Sequence, residues 1–394
     1  NINYVRVERH HIKGNPELLR LCGLSKELYN RCNFLMRQTW FKKERLPDIN
    51  ILVKETQSLD CFKQLHNTKT AKQTIRQVLT DWSNFRKALN SYKVDRSKFV
   101  KCPRPPHYKK KLAQVIFYAE TIKLGTSKKK TNLITPTNNC FTIKSDKPYK
   151  QVVVTPKTFG FVIEVQYEQS VTPKAKTKKN NICCIDIGLN NLCAITSDQH
   201  SPILINGRIV KSFNQYYNKN KSQKTSRKRY FRLENYFHNV SKMIVENCAL
   251  HNIGKIIIGK NDGWKSGMKL GKKTNQNFQS VPFCNLMQKI QYKAEALGIE
   301  VIFTEESYTS QASFLDRDLI PVYDKNSKPE KNFSGTRVKR GLYKSASGIL
   351  LNADCNGSAN IGRKVFPDTA FGCEWDRSVA ATPVVVNPLR QVYA

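Results

Sequence analysis

Residues 1–12 alternate apolar and polar positions in the manner of a strand, with Ile2, Tyr4, Val5 and Val7 as the apolar set. Asn15-Pro16 then predicts a helix start, with Asn as the cap and Pro at the first helical position. Leu18, Leu21, Leu24, Leu28, Cys32 and Leu35 follow at helical spacing. A second helix is predicted from about Thr68 to Asn90, its apolar face made by Ile75, Val78, Leu79, Trp82, Phe85 and Leu89. The proline-rich basic run KCPRPPHYKKK, residues 101–111, breaks the helical period and reads as an ordered connector. Beyond it the period shortens. Val115–Phe117, Cys140–Ile143, Val152–Val154 and Phe159–Tyr167 read as short strands of a small sheet or barrel, which the first strand could complete.

Lys174–Asn180 reads as a linker. Ile182–Ile187 is a near-continuous apolar run, suited to a strand buried on both faces, and Leu192–Thr196 to its partner. Ser222–Cys248 predicts a long basic helix, Lys255–Ile258 a buried strand, Pro282–Leu297 a helix and Glu300–Phe303 a strand. Leu351–Arg363 predicts a turn that opens a helix. Strands alternating with helices make this half an α/β domain.

Charge changes the picture more than composition does. Lys and Arg number 67 against 30 Asp and Glu, a formal net charge of +37. Self-repulsion on that scale opposes the compact state unless a polyanion neutralises it, which points to nucleic acid. No apolar run approaches the ~20 residues that would span a bilayer, so no membrane partner is expected, and no secretory signal is read. The twelve cysteines contain no CxxC pair, and Cys183-Cys184 sits inside an apolar run; reduced, buried thiols are expected rather than a disulfide framework.

Two carboxylates stand out. Asp186 ends an apolar strand in CCIDIGLNNLCAIT, where desolvation is costly without a cation beside it. Asp354 lies in NADCNGSANIGRKV, where Gly357, Ser358 and Ala359 would let a helix approach a strand closely. Either alone could be a capping Asp; together they suggest a shared site. DIGLNNL and the later DxNxxxNI resemble the first and last motifs of the RuvC-like nuclease of TnpB, a transposon-encoded RNA-guided nuclease related to type V CRISPR effectors and to the Fanzor proteins. The helix around Trp82, the basic connector, FHNVSKMIV and ESYTSQASFLD follow in the order that family shows, so the resemblance covers nearly the whole chain.

The resemblance implies an α/β plus β fold: an RNase H-like RuvC domain (181–365) preceded by a wedge-type β-barrel (1–12 and 97–175) with an inserted helical recognition domain (13–96), and a tail at 366–394. It implies cleavage of double-stranded DNA beside a short adjacent motif. The guide RNA would come from the transposon end, and the protein would be monomeric. It would work in the cytoplasm or nucleoid if bacterial, and in the nucleus if eukaryotic or viral. Two Mg²⁺ ions about 4 Å apart would be held by three acids, of which Asp186 and Asp354 are two.

The third departs from the family pattern, because Gly259 stands where a Glu is usual. Glu306 is the favoured replacement, by resemblance to relatives with a relocated Glu. Glu305 is the alternate, since neighbouring strand residues face opposite ways, and Asp262 is a weaker candidate. The family's four-Cys ribbon is also missing: no Cys or His lies between Tyr308 and Asp354, so residues 308–350 are expected to hold no zinc. A basic loop around Phe333–Leu342 is expected instead. Arg227, Lys228, Arg229 and Arg232 would follow the heteroduplex backbone, and Lys72, Gln73, Arg76 and Gln77 would read the adjacent motif. Trp264 and Tyr308 are candidates for stacking on bases, with packing as the alternative. A nuclease-dead RNA-guided binder and a transposase acting without RNA remain the rival functions.

Overall fold

A computed structural model describes residues 2–96, 99, 101–123, 133–171, 178–260, 280–322, 332–368 and 382–388. The chain forms two compact units, Asn3–Ser170 and Val171–Ala394 together with Asn1–Ile2.

The first unit runs β1 (Ile2–Ile12), α1 (Pro16–Phe41), α2 (Ile49–Thr56), α3 (Asp60–Lys63), α4 (Thr68–Val94), β2 (Val115–Tyr118), β3 (Ile122–Lys123), β4 (Leu133–Pro136), β5 (Ile143–Lys144), β6 (Tyr149–Lys157) and β7 (Gly160–Val171). Asn15 caps α1 by accepting from the Leu18 amide, with Pro16 at the first helical position. The strands make a four-stranded sheet of order β1-β7-β6-β2 and a small sheet β3-β4-β5. No break separates helices from strands: Leu18, Leu28, Ile75 and Trp82 share one core with Val115, Phe117, Val152 and Ile163. Each such side chain adds roughly 1.5–3 kcal/mol by burial.

The basic connector lies along α1. Asn30 exchanges hydrogen bonds with the Lys109 backbone (2.7 and 3.1 Å), and the Asn33 amide and Arg37 guanidinium donate to the Pro106 carbonyl (3.1 and 2.9 Å). A segment that cannot form its own ladder is thus satisfied by side chains.

The second unit runs β8 (Lys178–Ile187), β9 (Asn191–Ser197), β10 (Ile203–Asn206), α5 (Arg208–Lys219), α6 (Gln223–Leu250), β11 (Ile253–Lys260), α7 (Phe283–Glu295), β12 (Glu300–Glu305), β13 (Thr336–Lys339), β14 (Leu342–Lys344), β15 (Leu350–Asn352), α8 (Ala353–Val365) and β16 (Val384–Val386). Its main sheet has the order β12-β11-β8-β9-β10-β16. Strands β12, β11 and β8 are parallel; β9 is antiparallel to β8 and β10 to β9; β16 runs parallel to β10. The linker expected at Lys174–Asn180 is therefore shorter, because Lys178–Asn180 already belong to β8. The tail, in which no motif is read, supplies an edge strand from its run of three valines.

Strand alternation sorts β8 between two cores. Cys183, Ile185 and Ile187 pack with Phe237 and Val240 of α6 and Leu286 and Ile290 of α7. Ile182 and Cys184 face the other way, against Ala359 and Ile361 of α8. By the same period of two, Asp186 falls on the α8 side. Among the described residues no helix is long and apolar enough to cross a membrane, and the described cysteines are free.

Candidate functional site

Helix α8 places Asp354 because Asn352 caps it: the Asn352 side chain accepts from the amides of Asp354 (3.0 Å) and Cys355 (3.2 Å). The helix lies tight on β8 because its small residues leave no bulk between them. A Cβ on Gly357 would sit 2.9 Å from Asp186 Oδ2, so a larger residue there would push the Asp186 carboxylate aside. Three fully buried polar side chains then fix α8 in rotation. Ser358 donates to the Cys184 carbonyl (2.8 Å), Asn356 donates to the Ala312 carbonyl (2.8 Å), and Asn360 donates to the carbonyls of Thr309 (3.0 Å) and Ala312 (2.7 Å). Each bond satisfies a group whose burial would otherwise be costly. Together they tie the turn after β12 to the helix that carries Asp354.

That turn delivers the third acid. Parallel pairing sets Gly259 of β11 beside Thr304 of β12. Two residues on, Glu306 continues the Thr304 side of the strand, the side toward Gly259 and α8. A Cβ on Gly259 would lie 3.0 Å from Glu306 Oε2, 3.3 Å from Glu306 Cβ and 2.5 Å from Ile361 Cδ1. Glu306 therefore takes the room that a side chain at 259 would occupy. Glu305 turns elsewhere: its carboxylate pairs with Lys364 and accepts from the Ser307 amide. Asp262 and Trp264 lie outside the described residues. Tyr308 holds a left-handed backbone (φ 65°), and its carbonyl accepts from the amides of Gln311 and Ala312 in the turn.

Asp186 senses the other two acids. Asp186 keeps an opening to a cleft of about 570 Å³ but is otherwise enclosed by protein. Burial first, then the charges of Glu306 and Asp354, push its carboxyl up to about 8, against a smaller opposing pull from Arg337. Asp354 accepts from the Asn191 amide at 2.7 Å and stands 3.8 Å from the Arg337 guanidinium. Among the described residues no group of three Asp, Glu, His or Cys side chains stands as a ready metal cage. The chemistry of the donor set nevertheless fits hard divalent cations: it offers carboxylate oxygens alone, and their mutual repulsion is what a cation would relieve.

Between Tyr308 and Asp354 carboxylates hold the chain. Asp318 accepts from the Ser313 amide (2.7 Å) and from the Ser334 amide (3.1 Å) and hydroxyl. Asp316 accepts from the Ser313 hydroxyl (2.5 Å) and the Ala346 amide (2.7 Å). Buried Tyr343 donates to the Gln311 carbonyl at 2.7 Å. The segment expected as a loop at Phe333–Leu342 is largely a hairpin, β13 with β14, which presents Arg337 and Arg340 to the cleft.

Not every residue expected to touch nucleic acid is available. Gln73 faces the core of α4 and is 8% exposed, and Gln77 is engaged with Asp81 (3.0 Å) and Gln114 (3.1 Å). Arg76 is exposed and donates to the Tyr118 hydroxyl (3.1 Å), and Lys72 is half-buried. Arg229 turns inward, donating to Asn214 Oδ1 (2.5 Å) and the Ser280 carbonyl (2.6 Å), with its cation over the Tyr217 ring. It joins α5 to α6. Lys228 and Arg232 are exposed, the latter with its cation over the Phe213 ring of α5, and Arg227 is half-buried. Spacing on α6 alone gives no warning of this, because Arg229 lies next to outward residues; the available signal is the helical spacing of Ile209, Val210, Phe213, Tyr216 and Tyr217, which marks the partner helix α5. Arg208 and Lys211, on that same helix, are absent from the sequence reading with it.

Residues 283–361 match the family model described as Cas12f1-like, TNB domain, a span that includes Glu306 and Asp354. Similar solved structures include a cryo-EM structure of a Cas12f1–sgRNA–target DNA complex, at 11% identity and TM-score 0.33, covering 91% of this chain and 98% of that one. A cryo-EM structure of a CRISPR-Cas12f ternary complex matches at 13% identity and TM-score 0.33, covering 88% and 80%. A mini-RNA-guided endonuclease, CRISPR-Cas_phi3, matches at 9% identity and TM-score 0.44, covering 94% and 93%. No curated protein matches. The chain thus carries, in its second unit, a segment similar to the Cas12f1-like TNB domain.

Proposed function

We propose that the protein is an RNA-guided DNA endonuclease, encoded by or derived from a transposon, with Asp186, Glu306 and Asp354 as its catalytic acids. The single observation that carries the reading is the placement of Glu306 in the space above Gly259, where its charge reaches Asp186, as does that of Asp354. A mixed sheet with a carboxylate at the end of a central strand, flanked by helices on both faces, supports the RNase H-type assignment. The Cas12f1-like domain match supports guide RNA and target DNA as partners, since a Cas12f1 is known in complex with sgRNA and target DNA.

In this reading Asp186, Asp354 and Glu306 would hold two Mg²⁺ ions. Those ions would supply an activated water and neutralise charge on the phosphate undergoing hydrolysis. The chain's own contribution is positional. Asn191 orients the Asp354 carboxylate, and the Asn356–Ser358–Asn360 bonds fix the helix and turn that bring Asp354 and Glu306 toward Asp186. Arg337 lowers the cost of gathering three negative charges. Lys228, Arg232 and Arg227 supply the basic face for the heteroduplex backbone. The protein acts as a monomer and holds no structural zinc.

The test is purification with co-expressed transposon-end RNA, sequencing of the bound RNA, and incubation with plasmids carrying the matching target beside a randomised adjacent motif. Mg²⁺-dependent cleavage that is lost in Glu306→Ala and retained in Glu305→Ala is expected. Guided binding without cleavage would replace this reading with that of a nuclease-dead binder. Absence of a discrete RNA would leave a transposase acting alone.

A further inference from the structure

The cleft beside the acids has a second, oppositely charged wall. Arg208 and Lys211 lie on the first turn of α5, and Arg340 sits on the turn between β13 and β14. Arg208 and Arg340 line the same cleft as Asp186 and Asp354. Lys211 is anchored there by donating to Asn190 Oδ1, and Asn190 is also part of the cleft lining. Burial, then the charges of Arg340 and Arg208, hold the Lys211 ammonium below its ordinary range, so the three cations are close enough to repel one another. Among the described residues no carboxylate pairs with any of them. Gly207 shows how tightly this wall is built: a Cβ there would lie 2.3 Å from the Leu189 carbonyl oxygen, in the turn that follows Asp186.

Three like charges gathered in one concave site without a counter-ion are unfavourable unless an anion joins them. The neighbouring acids cannot fill that role without losing their own function. We infer that Arg208, Lys211 and Arg340 form a phosphate-binding subsite for a single strand of nucleic acid, gripping a phosphate adjacent to the one held over the acids. This rests on the nuclease reading for the strand's purpose, though not for its binding. Asn190 steers the Lys211 ammonium, and the two arginines offer planar donors that match phosphate oxygens. The subsite would fix the strand's register, so a bond one nucleotide away is not presented to Glu306 and Asp186.

The probe is a fluorescein-labelled deoxythymidine pentamer, titrated by anisotropy against the RNA-bound protein in an Asp186→Asn background across a range of salt. Arg208→Ala with Arg340→Ala should weaken binding about tenfold. It should also flatten the log–log salt slope by about 0.7, the value for one phosphate on a single strand. Arg208→Lys with Arg340→Lys should restore the slope. Lys42→Ala with Lys54→Ala removes the same net charge from exposed positions far along the sequence and should leave the slope near the parent's. If the two alanine pairs behave alike, or the lysine pair behaves as the alanine pair does, the subsite does not exist. If the protein with Asp186 intact cleaves no DNA in the guided assay, the nuclease reading ends without altering this comparison.

Discussion

Glu306 Oε2 lies 3.0 Å from the position a Cβ on Gly259 would take. The two residues are therefore alternatives for one volume, which sits between adjacent parallel strands and under α8. A carboxylate on β11 and a carboxylate after β12 would reach the same point, so the acid can move between strands while the site stays where it is. Gly259→Ala should accordingly cost cleavage by tenfold or more, because neither Glu306 nor the Ile361 methyl can give way fully. Combining Gly259→Glu with Glu306→Gly should recover part of the activity that Glu306→Gly abolishes. Guided cleavage assays on the four proteins decide this; a double variant as inert as the single one would show that the two positions do not share a role.

Asp186 makes stability depend on pH in a direction opposite to that of an ordinary paired carboxylate. Its folded carboxyl titrates near 8, whereas in the unfolded chain it titrates near the usual value of about 3.9. Between these limits the folded state holds a proton that the unfolded state has released. The contribution of this group therefore declines as pH rises from about 4 to 8, and stays at its minimum above that. Asp186→Asn removes the charge at a cost in function and should stabilise the cation-free protein at pH 8 by a few kcal/mol, an order-of-magnitude figure. Thermal melts in EDTA should show the variant several degrees above the parent at pH 8 and level with it near pH 4. Mg²⁺ should raise the parent's melting temperature and leave the variant's nearly unchanged. Equal melts at pH 8 would contradict the burial of this acid.

Much of this site can be read from the residues alone, for a physical reason. An apolar run that ends in Asp, and an Asp that opens a helix of small residues, are local patterns, and each brings its own secondary structure with it. The choice between Glu305 and Glu306 rests on strand alternation together with which side of β12 faces α8, and the latter is a long-range fact. The same limit explains Gln73 and Arg229. Both lie on well-predicted helices, but which face is covered depends on neighbours; helix α5, which covers Arg229, is short and polar on average, although Ile209, Val210, Phe213, Tyr216 and Tyr217 stand at helical spacing and could have marked it. The hairpin at β13 and β14 was hidden because its residues are mostly exposed and polar; its order comes from Asp316, Asp318 and Tyr343 rather than from an apolar face.

Arg229 and Arg232 should separate structure from binding, although they sit three residues apart on α6. Arg229→Ala removes the donor that Asn214 Oδ1 and the Ser280 carbonyl share, which should cost about 1–3 kcal/mol of stability. Arg232→Ala, like Lys228→Ala, removes an exposed cation. It should leave the melting temperature within a degree or two while reducing the salt slope of RNA binding by roughly 0.7–0.9. Melting curves and filter binding on the same preparations are sufficient. A fall in RNA affinity for Arg229→Ala without any loss of stability would mean that its guanidinium leaves Asn214 for the nucleic acid.

Asp318 should anchor the β13–β14 hairpin without a metal. It joins Ser313, next to the turn that Asn356 and Asn360 hold, to Ser334, at the base of the hairpin that carries Arg337 and Arg340. A carboxylate with three donors anchors two segments without any demand for thiolates. Metal analysis of protein purified without chelator should therefore find no stoichiometric zinc. Treatment with a zinc chelator at saturating Mg²⁺ should leave guided cleavage intact. Asp318→Asn keeps one acceptor and should lower the melting temperature by only a few degrees, whereas Asp318→Ala should free the hairpin and expose it to limited proteolysis. Cleavage should fall with that release, because Arg337 stands 3.8 Å from Asp354 only while the hairpin is held. If Asp318→Ala resists protease as the parent does, the anchor lies elsewhere and the carboxylate network is incidental.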